Sequence, residues 1–191
     1  MFSAKFGIET CTRILDLGGT VFNWRLMTQK PLVTMLNIAN GPGVTECSDP
    51  QFKMVFYEGG KAPFPDMSFD VCYSNSVIEH VGNSHAIKLF SGEIRRLAPR
   101  YYVQTPNRWF FVEPHFICVF IHWLPFGVKR RLIRWLSVWG LVTKPDQATV
   151  DKFLTSINLL TVQQMTELFD DAVIIKERFL GFTKSIVAIK F

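Results

Sequence analysis

Hydrophobic and polar positions alternate between two kinds of pattern along the chain. "TRILDLGG" (12–19) is a short apolar run stopped by a double glycine, as expected of a strand buried on both faces. "PLVTMLNIAN" (31–40) repeats the pattern and ends on Asn-Gly-Pro-Gly, and "FKMVFYEGG" (52–60) is a shorter third run. "SFDVCYSNSVIEHV" (68–81) reads as a fourth strand running directly into a helix. In "HAIKLFSGEIRRLA" (85–98) the period lengthens: Ile87, Phe90, Ile94 and Leu97 share one helical face, and Pro99 stops it. "RYYVQTP" (100–106) predicts a fifth strand, and "TVQQMTELF" (161–169) a further helix. "AVIIKERFLGFTKSIVAIKF" (172–191) predicts two strands about a short glycine-containing turn, an antiparallel hairpin at a sheet edge. Short strands alternating with helices imply crossover connections, hence an α/β domain with a mostly parallel sheet.

Composition adds a class and a local anomaly. At 191 residues, 48% hydrophobic and 19% charged, the chain reads as one globular domain over 1–191. Its four cysteines are widely spaced, with no CxxC or Cys/His cluster, so reduced thiols and no metal site are expected. "MFSAKFGIETCTR" lacks an apolar leader, which predicts a cytoplasmic protein. The net charge of +5 has one source: His115 to Pro145 holds no acid but contains Lys129, Arg130, Arg131, Arg134 and Lys144.

Trp109, Trp123, Trp135 and Trp139 lie in or beside that segment, so 109–145 reads as an aromatic, basic insert. As one helix from Val128, it would put Arg130, Arg131, Arg134 and Ser137 on one face, with Leu132, Ile133, Trp135, Leu136 and Trp139 opposite. Such a helix either covers the sheet or lies at a membrane interface through 128–140. The apolar run 116–128 is too short to span a bilayer and is broken by His122 and Pro125. No RNA-binding motif accompanies the arginines, so no nucleic-acid partner is expected; the chain would act as a monomer or homodimer.

In open α/β sheets ligands sit at the carboxyl ends of the strands. Here those ends carry Asp16-Leu17-Gly18-Gly19-Thr20, Asn37, Glu58, Ser74-Asn75 and Thr105-Pro106-Asn107. Glycine in the first loop allows close backbone approach to a ligand, and polar groups after the second and third strands suit a nucleoside.

"ILDLGGT", "MLNIANG" and "APFPDMSFDVCYSNSVIEHV", together with the C-terminal hairpin, resemble the class I S-adenosylmethionine-dependent methyltransferases. The likeness is greatest to bacterial members carrying a segment like "QTPNRWFFVEPHF" after the fifth strand. It covers about 13–110 and 160–191. It implies a Rossmann-like, seven-stranded, mostly parallel sheet with an antiparallel C-terminal hairpin. It also implies S-adenosyl-L-methionine as cofactor and methyl transfer to a small, apolar or lipid-like acceptor.

By the resemblance, Asp16, Gly18, Gly19 and Thr20 form the loop under the cofactor's methionine part. Asn37 takes the ribose position and Glu58 the adenine position, and Ser74 and Asn75 lie beside the sulfonium. The chain departs from the family's DxGxGxG at Thr20 and Phe22, and from its usual ribose acid at Asn37. Those departures keep open a catalytically inactive, methyltransferase-like binding module. An NAD-dependent oxidoreductase is the other alternative, although no GxGxxG follows the first strand. Candidate acid–base residues are Glu79 and His80 in "VIEHV" and Glu113 and His115 in "VEPHF", with His115 foremost because Pro114 holds it in a non-helical loop.

Overall fold

The computed structural model describes residues 2–38 and 49–191. The turn expected at Asn40-Gly-Pro-Gly and the thiol of Cys47 lie outside them.

The five predicted parallel strands form as β1 (Arg13–Leu17), β2 (Leu32–Ile38), β3 (Phe52–Tyr57), β4 (Val71–Asn75) and β5 (Arg100–Pro106). The C-terminal pair is β8 (Val173–Phe179) and β9 (Phe182–Lys190), and a small separate hairpin joins β6 (Val112–Glu113) to β7 (Cys118–Val119). The seven-stranded sheet runs β3-β2-β1-β4-β5-β9-β8, parallel except where β9 lies antiparallel to both β5 and β8. Leu180 and Gly181 both take positive φ at the β8–β9 turn, the twist-compatible geometry of a two-residue hairpin.

Each inner strand is apolar on both sides because both sheet faces are covered. On one face, Leu15 and Leu36 meet Ile87, Ile94 and Leu97 of α3 (Ser84–Leu97) and Met165 of α7 (Val162–Leu168). On the other, Ile14 and Met35 meet Phe6 of α1 (Phe2–Phe6) and Trp24 of α2 (Val21–Arg25). Removing a side chain such as Ile94 from water contributes about 1.5–3 kcal/mol.

The fourth strand does not run straight into the helix. Ser76 takes a positive φ of 55°, Ile78–His80 form one turn of 3-10 helix, and Gly82 adopts φ 116°. The long helix α3 starts only after Asn83, whose side chain accepts from the backbone N–H groups of His85 (3.1 Å) and Ala86 (3.0 Å). An asparagine N-cap behind a left-handed glycine starts the helix afresh, which leaves "VIEH" as a separate corner.

The insert supplies two helices, α4 (Phe126–Leu136) and α5 (Val138–Thr143), which join α6 (Gln147–Ser156), just beyond its expected end, in a core of their own around Phe116, Cys118, Ile121, Ile133, Val150 and Leu154. The expected single helix from Val128 breaks at Ser137. That residue is buried and accepts from Gly140 N–H at 2.9 Å, so it belongs to no polar face. The faces are arranged differently too. Ile133 is the buried residue of α4, Arg130 turns toward α6 to pair with Asp151 (2.7 Å), and Trp139 stacks on Phe153. Trp135 is left 69% exposed, with Leu136, Leu141 and Val142 also outside. Among the described residues no helix is long and apolar enough to cross a membrane.

Candidate functional site

The first loop is tied from within. Asp16, at the end of β1, is fully buried, and its Oδ2 accepts the indole N–H of Trp24 at 2.6 Å. Oδ1 has no partner among the described residues. Burial raises the Asp16 pKa to about 7, against the opposing pull of the Trp24 hydrogen bond. The carboxylate lies under Gly19, where a Cβ would fall 1.6 Å from Oδ2; Gly18 has φ 74° and a Cβ there would fall 2.6 Å from a methyl of Val77. Both glycines are thus demanded by close approach inside the protein. Thr20 stands at the N-cap of α2 with no side-chain capping bond, and Phe22 is exposed.

Asn37 donates its amide N–H to Gly19 O at 3.0 Å, so it braces the first loop from β2. A carboxylate could not make that bond, which gives a local reason for the amide at this position. Glu58 is exposed just past β3, and the register opposing Ile38 to Tyr57 carries it to the same end of the sheet as Asn37. Ser74 is buried and donates to Leu17 O at 3.4 Å, whereas Asn75 is exposed at the end of β4.

The acid–base candidates from "VIEHV" and "VEPHF" come together. His80 Nε2 and His115 Nε2 are 3.0 Å apart, and His115 Nδ1 is 2.7 Å from Glu113 Oε1. Glu113 Oε2 accepts the backbone N–H of Phe116 at 2.7 Å. Glu79 is fully buried; its Oε2 accepts from Thr105 Oγ1 at 2.9 Å, and its Oε1 lies 3.8 Å from His115 Nε2 without a hydrogen-bond partner among the described residues. Asn158, just past α6, donates backbone N–H to Glu79 O (2.7 Å) and its side chain to Gly82 O (2.7 Å), pinning the corner.

Burial raises the Glu79 pKa. Burial and then the neighbouring His115 lower that of His80. Burial pulls His115 down, but its bond to Glu113 and the Glu113 charge outweigh this and leave it raised. Each of these residues is a candidate from the sequence, which gives no sign of a metal site; the fold adds that Glu79, His80 and His115 offer ligand atoms within 4.8 Å of one another. His80 and His115 come from separate loops, so no spacing along the chain signals the pairing.

Two further features place the cluster. Val77, one step before the Ile78–His80 corner, packs over Gly18, so the first loop and the cluster share one end of the sheet. Beside the cluster, Arg108, His122 and Lys129 line a cleft with Phe116, Leu154 and Asn158. Burial, then the charge of Arg108, lower the Lys129 pKa.

No family model matches the chain, and no curated protein matches its sequence. Solved structures do match its architecture. A Methanosarcina mazei S-adenosylmethionine-dependent methyltransferase aligns at TM-score 0.56 and 14% identity, over 99% of this chain and 96% of that one. A Burkholderia thailandensis 1,6-didemethyltoxoflavin-N1-methyltransferase, with bound 1,6-didemethyltoxoflavin and S-adenosylhomocysteine, aligns at 0.56 and 13%, over 98% and 74%. The chain has the fold of the class I methyltransferases. A Rhodobacter sphaeroides chain described as a Zn-dependent alcohol dehydrogenase aligns as well, at 0.59 and 10%, over 98% and 87%. At such identities the methyltransferase fold is what is shared, and function has to be argued from the site.

Proposed function

We propose that this protein transfers a methyl group from S-adenosyl-L-methionine to a small, lipid-like acceptor. One observation carries the reading: a buried, half-partnered carboxylate under a glycine loop and a Glu/His cluster meet across Val77 at the same end of the sheet.

The residues at the first loop fit the cofactor. Asp16 Oδ1 is a buried acceptor in need of a donor, and a ligand ammonium would supply one while favouring the ionised carboxylate. Asn37 holds the loop by its N–H, and its Oδ1 suits a ribose hydroxyl; Glu58 and Asn75 lie exposed at neighbouring strand ends. When bound, S-adenosylmethionine supplies an electrophilic methyl group on a good leaving group. Positioning and exclusion of water are what the protein itself has to add.

The acceptor side falls to the cluster and its cleft. Glu79, His80, Glu113 and His115 present the polar atoms that would hold the acceptor's nucleophile. Arg108, His122 and Lys129 suit an anionic head group, and Phe116, Ile121 and Leu154 an apolar tail. The outward Trp135, Leu136, Leu141 and Val142, with Arg131 and Arg134 on the same helical pair, suit peripheral contact with an anionic membrane that would deliver such an acceptor. The test is calorimetric titration with S-adenosylmethionine and, separately, NAD. Binding of the former alone supports methyl transfer, and binding of NAD alone supports an oxidoreductase.

A further inference from the structure

Glu79 is wholly buried, and one of its two carboxylate oxygens has no partner among the described residues. A buried acceptor left unpaired by the protein is costly, so such groups commonly mark a place where a ligand or ion binds. The orphaned Oε1 points at His115 Nε2, 3.8 Å away, and the Nε2 atoms of His115 and His80 face each other at 3.0 Å. Three donor atoms from two loops converge on one point, within 4.8 Å of one another.

The surroundings prepare those donors. Glu113 faces the far nitrogen of the His115 ring at 2.7 Å, and its other oxygen is fixed by the Phe116 N–H. A carboxylate on Nδ1 sets the tautomer in which Nε2 presents a lone pair, the outer arrangement found behind metal-bound histidines. Thr105 holds the second oxygen of Glu79, turning Oε1 inward, and Asn158 pins the Glu79 backbone. A single proton between the two imidazoles would satisfy both rings but leave Glu79 Oε1 unpaired. A cation satisfies all three.

We infer that Glu79, His80 and His115 form a binding site for one divalent first-row metal ion. Two imidazoles and one carboxylate are a borderline set that suits Zn²⁺, Mn²⁺ or Co²⁺ better than Ca²⁺. Three protein ligands leave a coordination position for an oxygen donor, and His80 opens to the outside, so water or an acceptor hydroxyl can reach it. The inference deepens the acceptor-side assignment made above, yet its test requires neither cofactor nor acceptor.

The test is titration of the metal-stripped 191-residue chain with Co²⁺, read by visible d–d absorption, followed by displacement with Zn²⁺ and metal analysis after dialysis. The expected result is one Co²⁺ per chain, displaced by Zn²⁺. His80→Ala, at an exposed position that tolerates truncation, should abolish the bands. Glu113→Gln, which leaves the ligands in place, should weaken binding about 10- to 100-fold. His85→Ala, on the exposed start of α3, should bind as wild type, and circular dichroism confirms that each variant is folded. Absence of the bands in wild type overturns the site, as does binding that His80→Ala and Glu113→Gln leave unchanged. Neither outcome bears on whether S-adenosylmethionine binds, which is measured separately.

Discussion

The indole N–H of Trp24 donates to the buried carboxylate of Asp16 at 2.6 Å, so the strand, loop and short helix of "ILDLGGTVFNW" close on a single hydrogen bond. The bond is not enough to keep the carboxylate in its ordinary range, because burial lifts the Asp16 pKa from 3.8 to about 7. The folded state therefore keeps a proton that the unfolded chain gives up. Stability is full below about pH 4, falls as pH rises, and levels off above about pH 7; a shift of that size corresponds to roughly 4 kcal/mol. Asp16→Asn keeps an acceptor for Trp24 without the ionisation. Thermal melts at pH 5 and pH 8 should show a large loss of stability in wild type and a smaller one in the variant. Equal losses in both would refute the assignment.

Gly19 is pressed onto that carboxylate, since a Cβ would fall 1.6 Å from Asp16 Oδ2. Gly19→Ala must displace a buried, bonded group and should cost about 1–3 kcal/mol in urea unfolding, as overpacking does. Gly92, within α3, has nothing within 4 Å of its notional Cβ. Gly92→Ala should instead stabilise by about 0.5–1 kcal/mol, through helix propensity alone. If the two changes had the same sign, the close packing of the first loop would not be the reason for Gly19.

Ile133 is the inward residue of α4, fully buried among Phe116, Ile121, Val150 and Leu154. Ile133→Ala should cost about 2–5 kcal/mol, as for other large-to-small core changes. Trp135→Ala, two residues on and 69% exposed, should leave unfolding within about 0.5 kcal/mol of wild type. Chemical denaturation of the two variants decides whether α4 is held as described.

The outer surface of α4 and α5 gives a separate expectation. Mixing with vesicles rich in anionic lipid should blue-shift tryptophan fluorescence, and neutral vesicles should not. Arg131→Glu with Arg134→Glu should abolish the shift; Arg130 is left alone because it pairs with Asp151 of α6. A shift that persists in the double variant would leave the arginines no part in membrane contact.

Much of the frame was legible in the sequence, because each feature there is local. "TRILDLGG" is apolar wherever a doubly covered strand must be, and Ile87, Phe90, Ile94 and Leu97 repeat at helical spacing and are all buried. The orientation of α4 was not legible. Its pattern allows Leu132, Trp135 and Leu136 to face inward, and only the contact of Ile133 and Arg130 with α6 decides otherwise. The break at Ser137 was hidden for a similar reason, since a serine mid-pattern reads as polar surface until its hydroxyl is seen to cap α5. The corner at Ser76–His80 depends on a left-handed serine, which no propensity predicts. At the site, Asp16, Glu79, His80, Glu113 and His115 could be named one by one as chemistry near strand ends. Their convergence is long-range: the 3.0 Å contact of His80 with His115 exists only once β4 and β5 are neighbours and the β6–β7 hairpin folds back.

Every role proposed for the first loop depends on cofactor binding there. Isothermal titration with S-adenosylhomocysteine, the demethylated product, tests it most directly, with wild type and Asp16→Ala side by side. Saturable binding of one molecule per chain is expected in wild type, with marked weakening in the variant, whose fold is checked by circular dichroism. No heat of binding in wild type at millimolar ligand, for the product and for S-adenosylmethionine alike, would contradict it.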